Sequence, residues 1–479
     1  MEKRLWNKTK IVATIGPASA SRDVLKGMIL AGADICRINF SHGSYEDVKK
    51  IIDNIRDLNN ELQANVGNLA DPQGPKIRIG EMENGGAELK EGAELVFTTE
   101  KCTGSASKVY MTYPQFPGDV AIGDLILIDD GKIHLSVTGT NRKNEVKAKV
   151  LHGGVLGSKK GVNLPDTKIS LPCLTPKDEA DLEFALQNGV EWIGLSFVRS
   201  VTDIADLKDK IKTSKNGYAR VIAKIEKPEA IREIDQIIDL ADGVMVARGD
   251  LGVEMPMEQV PILQKLIVRK CIEASKPVII ATQMMESMID SFSPTRAEVN
   301  DVANAVMDGA DAVMLSGETS VGKWPVRVIQ HMQRIIERVE REESIYYREH
   351  PPALKNQTYI SDTICYNACV TARQANVKAI ISMTYSGYTA FKLSSHRPKA
   401  NIFIFTENRR LLNTLSLIWG VRGFYYDKYE STDNTIADLK EFIFREGYVM
   451  KDDLIINIAS MPMGDKGRAN MMKLSLIGS

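Results

Sequence analysis

Net charge is what this sequence most lacks. Its 479 residues hold 61 Lys and Arg against 62 Asp and Glu, a balance of −1 at pH 7. That removes the electrostatic case for nucleic acid or an anionic membrane as the main partner. Cysteine is sparse too: the six, at 36, 102, 173, 271, 365 and 369, show no Cys-x-x-Cys spacing. This fits a reduced, cytoplasmic protein, with Cys365 and Cys369 read as a buried pair of thiols on one helix. Only six histidines occur, with no His-Glu-x-x-His, which argues against a zinc hydrolase. No apolar run exceeds strand length, so no bilayer span is expected. The basic residues 1–10 are followed by no apolar segment, so no secretory signal is expected. What remains is 43% hydrophobic and 26% charged, an ordinary globular composition, in a chain long enough for two to four domains.

Strand and helix signals alternate over residues 9–71. Strands fall at 9–16, 34–40 and 65–71 and helices at 21–31 and 45–63, which implies parallel strands with right-handed crossovers. From Pro72 to about Ser170 the helical period vanishes. Short alternating runs at 94–99, 124–128, 132–137 and 146–150, separated by Gly, Asn and Asp turns, predict a small all-β insert. The α/β series then resumes, with strands at 192–197, 220–226, 243–248, 277–282 and 312–316 and intervening helices that include 229–240. Three strands before the insert and five after it make eight β/α units, the count of a (β/α)8 TIM barrel. A charged linker at 342–356 leads to a C-terminal open α/β domain, with helices at 361–376, 390–396 and 409–419 and strands at 379–383, 401–405 and 453–459. The expected domains are 1–71 and 171–345 for the barrel, 72–170 for the β-insert and 355–479 for the C-terminal domain.

The stretch that organises the chain is Val221-Ile222-Ala223-Lys224-Ile225-Glu226. Side chains alternate along a strand, so Lys224 and Glu226 share a face. Two charges on an apolar strand are costly to bury unless paired, metal-bound or facing a wet cleft. A rim ion pair that only fixes the strand is one reading. An active site is the other, because these residues sit at the C-terminal strand end where barrel chemistry lies. Other strand ends decide between them. Arg37, Asn39 and Ser41 alternate at the second strand. Asp71 ends the third, with Lys76 and Arg78 just beyond. Arg248-Gly249-Asp250 follows the sixth, Thr282 the seventh and Glu318 the eighth. The cluster offers Glu226 and Asp250 for a divalent cation, Mg²⁺ or Mn²⁺ rather than zinc. It offers Arg37, Arg78 and Lys224 for anionic oxygens, and backbone amides at Gly249 and Asp250 for a carboxylate. Cations around a metal suit phosphoryl transfer. Since neither Gly-x-x-x-x-Gly-Lys-Ser/Thr nor a protein-kinase Gly-rich loop occurs, any nucleotide must bind in another way.

Several segments together resemble the pyruvate kinase family over essentially the whole chain. They include Arg37-Ile38-Asn39-Phe40-Ser41-His42-Gly43, Gly74-Pro75-Lys76-Ile77-Arg78 and Lys159-Lys160-Gly161-Val162-Asn163-Leu164-Pro165. Further on come Ala223-Lys224-Ile225-Glu226, Met245-Val246-Ala247-Arg248-Gly249-Asp250-Leu251-Gly252 and Ala281-Thr282-Gln283-Met284-Met285-Glu286. The resemblance implies a transfer of phosphoryl from phosphoenolpyruvate to ADP, giving pyruvate and ATP. Glu226 and Asp250 are then the Mg²⁺ ligands, and Lys224 stabilises the phosphoryl group in transit. Arg37 holds the substrate phosphate, and Gly249, Asp250 and Thr282 its carboxylate end. Asn39, Ser41, His42, Arg78 and Lys160 match nucleotide-associated positions. Lys160 lies on the insert, which closes as a lid in the family and would exclude water from the phosphoryl group. The proton donor to the enolate is open between Lys224 and a water relay near Thr282. A homotetramer is implied as well.

One departure bears on the cofactors. In the family Asn39, Ser41, Asp71 and Pro72 would line a monovalent-cation site, and K⁺-requiring members read Thr-Lys-Gly-Pro-Glu after the Asp. Here the run is Pro72-Gln73-Gly74-Pro75-Lys76. An ammonium where a carboxylate would stand supplies the positive charge internally and repels a cation, so K⁺-independence is expected. In the C-terminal domain, Thr384, Ser386, Gly387 and Thr389 lie between a strand and a helix. They read either as an ordinary capped turn or as a phosphate cradle for the sugar-phosphate or nucleotide effectors that family members bind. Two other functions fit less well. A metal-dependent aldolase or lyase leaves the lid and Lys160 unexplained, and a turnover-dead sensor would lack Lys224, Glu226 or Asp250.

Overall fold

The computed structural model describes residues 4–41, 43–354, 357–428, 431–461 and 468–478. Eight parallel strands close a barrel. In chain order they are Lys10–Ile15, Ile35–Asn39, Gly67–Asp71, Trp192–Leu195, Arg220–Ile225, Gly243–Ala247, Val278–Ala281 and Ala312–Leu315. Each pairs with the next, and the first closes on the eighth. These strands are buried on both faces, which is why they read as near-continuous apolar runs. Ile11, Ala13, Val221 and Ala223 pack outward against the helices, in one cluster with Leu25, Ile52 and Ile267. Val12, Ile35, Leu69, Trp192, Ile222, Met245 and Ile279 belong to a second cluster in the barrel interior. Two-residue alternation therefore carries Thr14, Arg37, Asp71 and Lys224 into the interior, one layer above Val12, Ile35, Leu69 and Ile222.

Between the third and fourth strands stands a six-stranded sheet, built around Leu125–Ile128, Ile133–Thr140, Glu145–His152 and Glu94–Thr98. Beside it lies a two-stranded ribbon of Gly86–Leu89 and Gly154–Gly157. This insert has its own core, including Phe97, Phe116, Ile126 and Leu135. The C-terminal domain is a five-stranded sheet in which Leu454–Ala459 pairs antiparallel with Met471–Leu476 and the other pairs are parallel. In this domain the structure adds three elements to the expected set: strands Val421–Tyr425 and Met471–Leu476 and helix Thr432–Arg445. A mid-strand Gly423 and partly exposed edges blur the alternation of those two strands. The predicted helix at 229–240 is broken at Glu233 into Pro228–Arg232 and Ile234–Leu240.

The C-terminal domain covers the N-terminal end of the barrel, and its Ile380, Leu415 and Ile418 share the interior cluster. A Cβ at Gly67 would stand 2.6 Å from the Asn413 carbonyl oxygen, so this contact requires glycine. Lys8 and Lys10 donate to the carbonyls of Ala400 and Val421, each at 3.1 Å, and Trp192 Nε1 donates to Thr414 O at 3.3 Å. Arg397 is fully buried and pairs with Asp311 at 2.9 Å while donating to Gly309 O at 2.7 Å. Removing one partner of such a pair strands the other charge. Arg397→Met is therefore expected to destabilise the folded chain by about 3–5 kcal/mol, read from urea unfolding. A loss below about 1 kcal/mol would put the tie in the class of surface pairs.

Candidate active site

The interior layer at the C-terminal end of the barrel is a connected set of charges. Lys224 Nζ reaches Ser196 Oγ at 2.8 Å, Glu226 Oε1 at 3.0 Å and Asp71 Oδ1 at 3.2 Å. Asp71 Oδ2 receives Arg37 Nε at 2.7 Å, and Arg37 donates again to Thr14 Oγ1 at 3.0 Å. Glu226 Oε2 accepts the Phe197 amide at 2.7 Å. Burial lowers the pKa of Lys224, but Asp71 and Glu226 outweigh it and raise the pKa above the usual lysine range. Burial likewise opposes the charge on Asp71, yet Lys224 and Arg37 hold its carboxyl below the usual range. Glu226 differs. Burial lifts its pKa, Lys224 pulls the other way, and the Asp250 carboxylate adds to the rise. A buried carboxylate whose charge is opposed by a second carboxylate forms with it a donor set that a hard divalent cation relieves. Among the described residues no three His, Cys, Asp or Glu side chains group as a metal site. Glu226 and Asp250 are two carboxylates of the oxygen type that a hard divalent cation takes.

The next sector of the mouth is held by strain. Thr282 and Gln283 have φ of 69° and 54°, and a β-branched residue in this region is unfavourable by about 1–3 kcal/mol. Thr282 is fixed there from both sides. The Gly249 amide donates to its Oγ1 at 2.7 Å, and Arg248 donates to its carbonyl at 2.8 Å. Arg248 is itself clamped by Asp301 through two contacts of 2.6 and 2.7 Å. Phe197 is also left-handed, at φ 55°, which aims its amide at Glu226.

Residues predicted to contact nucleotide fall in two places. Asn39 and Ser41 are on the barrel rim, where Asn39 Oδ1 accepts the Ser41 amide at 3.0 Å. Arg78 and Lys160 are on the insert, with Arg78 donating to Lys159 O at 3.1 Å and Lys160 paired to Asp129 at 2.9 Å. His42 lies outside the described residues. Of the predicted monovalent-cation donors, Asp71 has both oxygens engaged, and Pro72 O accepts Ser196 Oγ at 2.9 Å. Lys76 is exposed and lines the cleft between insert and barrel together with Asp250, Asn163 and Lys227. In the C-terminal turn, Thr384 Oγ1 and Ser386 Oγ accept the amides of Gly387 and Tyr388, at 3.0 and 3.4 Å. Thr389 is buried against Ser382, at 3.0 Å.

Sequence reasoning missed Thr14 and Ser196, which complete the Arg37 and Lys224 contacts. Both occupy C-terminal strand ends, on the first and fourth strands, and that position was the available signal.

Comparison with known proteins bears on both major domains. Family models for the pyruvate kinase barrel domain and the pyruvate kinase alpha/beta domain match residues 6–329 and 362–475. The pyruvate kinase of Geobacillus stearothermophilus is 42% identical over 473 residues, covering 98% of this chain and 80% of that protein. That of Staphylococcus haemolyticus is 41% identical over 477 residues, with the same coverage of 98% and 80%. A crystal structure of a pyruvate kinase from Cryptosporidium parvum matches with a TM-score of 0.91 at 34% identity, over 98% of this chain and 96% of that one. With both models and nearly the full length in agreement, the chain belongs to the pyruvate kinase family.

Proposed function

We propose that Lys224, Arg37, Glu226 and Asp250 divide the work of phosphoryl transfer at the barrel mouth. The chain catalyses its family's reaction, transfer of the phosphoryl group of phosphoenolpyruvate to ADP to give pyruvate and ATP, the last step of glycolysis. The reaction depends on a divalent metal. The observation that carries the residue roles is the buried Lys224 ammonium between Asp71 and Glu226. An ammonium has three donors, and those of Lys224 face Asp71, Ser196 and Glu226. To reach a phosphoryl group in transit it leaves Glu226. Glu226 and Asp250 would hold the divalent metal, Mg²⁺ or Mn²⁺, which would supply positive charge to the phosphoryl transfer. Arg37 spends two of its five donors on Asp71 and Thr14 and keeps the others for the substrate phosphate. Gly249, Asp250 and Thr282 take the substrate carboxylate. Asn39, Ser41, His42, Arg78 and Lys160 take the nucleotide, with the insert as lid.

The domain limits we propose are 1–71, 72–170, 171–345 and 355–479, in a cytoplasmic homotetramer. No helix among the described residues is long and apolar enough to cross a membrane. For the Thr384–Thr389 turn an effector remains the proposal, although of Thr384, Ser386 and Thr389 only Ser386 is exposed. A phosphosugar that binds there shifts the cooperativity of phosphoenolpyruvate, and Ser386→Asp abolishes the shift.

Pyruvate formation, followed through coupled lactate dehydrogenase, is expected to need both ADP and Mg²⁺. Lys224→Met should lower kcat about 10²–10³-fold, the scale for losing one preorganised electrostatic donor, with metal affinity nearly unchanged. Glu226→Gln should instead raise the metal concentration needed for half-activation. Equal, stability-linked losses in both variants would return the cluster to a structural role. Rates in tetramethylammonium buffer with and without KCl should agree, because Lys76 supplies the charge and Asp71 is fully engaged; a strong KCl requirement sinks this assignment.

A further inference from the structure

Beside the catalytic cluster lies a second buried ion pair that phosphoryl transfer does not use. Lys227 Nζ meets Glu254 Oε1 at 2.5 Å, and Asn163 Nδ2 donates to the same oxygen at 2.7 Å. Lys227 and Glu254 are only 6% and 5% exposed. Glu254 Oε2 is buried with no hydrogen-bond partner among the described residues. A buried pair of this kind seldom adds net stability over apolar packing, because desolvating both charges offsets their attraction. Such a pair is available for a role besides holding the fold.

Its placement supplies one. Lys227 directly follows Glu226, and Glu254 ends the helix Arg248–Glu254, whose first turn carries Asp250. At the base, the strands leading to the two carboxylates are paired, Ile225 against Val246. Above, the Lys227–Glu254 contact joins the segments again, so Glu226 and Asp250 stand within a closed frame. The third member, Asn163, belongs to the insert strand Val162–Asn163. Asn163, Lys227 and Asp250 line one cleft.

We propose that Glu254 is a positioning residue. Through Lys227 it sets the separation of Glu226 and Asp250, and through Asn163 it ties that separation to the place of the lid. This rests on the reading of Glu226 and Asp250 as the divalent-cation ligands. Groups that orient metal ligands typically cost about 10–100-fold in metal affinity when removed.

The test is Mn²⁺ binding to the full-length protein without substrates, read from the electron paramagnetic resonance signal of free Mn²⁺. Glu254→Gln should weaken binding about tenfold or more, while kcat at saturating metal falls less. The double variant Glu254→Gln with Lys227→Met removes both buried charges and should show the same loss. It also tests the proposal if the single variant does not fold. Recovery of wild-type affinity in the double variant would mean that a freed ammonium merely repelled the metal, and would overturn the positioning role. Lys227→Arg, which keeps the cation, should retain near-wild-type affinity. Asn163→Ala should weaken binding in the same direction, and unchanged affinity there removes the lid link. Glu226→Gln separates the two levels. If it loses Mn²⁺ while Glu254→Gln does not, the positioning proposal alone fails; if Glu226→Gln binds as wild type, the underlying metal assignment fails.

Discussion

Burying an ammonium inside a β-barrel is the constraint around which the rest of the mouth is arranged. Desolvation of an unpaired Lys224 would cost several kcal/mol or neutralise it. Its charge survives because Asp71 and Glu226 flank it. Asp71 in turn is held by Arg37 as well as by Lys224, and Arg37 is oriented by Thr14, whose hydroxyl donates to the Leu315 carbonyl at 2.8 Å. The dependence runs from the fifth strand through the third, second and first to the eighth. One cation thus recruits more than half of the barrel circumference, and shifting any one of these strands would unsettle the partners of the next.

The two ends of the barrel divide structure from chemistry. At the N-terminal end, Trp192, Lys8, Lys10 and Arg397 bind the barrel to the C-terminal domain through carbonyls and one buried ion pair. Apolar packing is continuous across that junction. At the C-terminal end, polar side chains replace the apolar layer, and the backbone is left-handed at Phe197, Thr282 and Gln283, where the Phe197 amide meets Glu226 and the Gly249 amide meets Thr282 Oγ1. Such strain persists only where its surroundings over-determine it. For Thr282 the surroundings are Gly249 and the Arg248–Asp301 clamp. The insert meets this end where Asn163 donates to Glu254, and with Asp250 it lines the cleft.

Much of this was legible in the residues themselves. Two-residue alternation puts Lys224 and Glu226 on one face whatever the fold, and eight strand-helix units with an all-β interruption specify a barrel with an insert. Those regularities arise from local geometry, so a linear reading recovers them. The edge strands of the C-terminal domain escaped because they are half-exposed and one carries a mid-strand glycine, leaving no clean period.

By itself the sequence determined the fold class and placed Lys224, Glu226, Asp250 and Arg37 as charged residues at the C-terminal strand ends. Tertiary structure alone decided the pairings. Thr14, Ser196 and Glu254 are common residue types, and their importance lies in partners 23, 28 and 27 positions away along the chain. It also decided that both oxygens of Asp71 are engaged by Arg37 and Lys224. Hydrogen bonds are satisfied in three dimensions between segments that barrel closure brings together, and no spacing along one strand encodes which neighbour will answer.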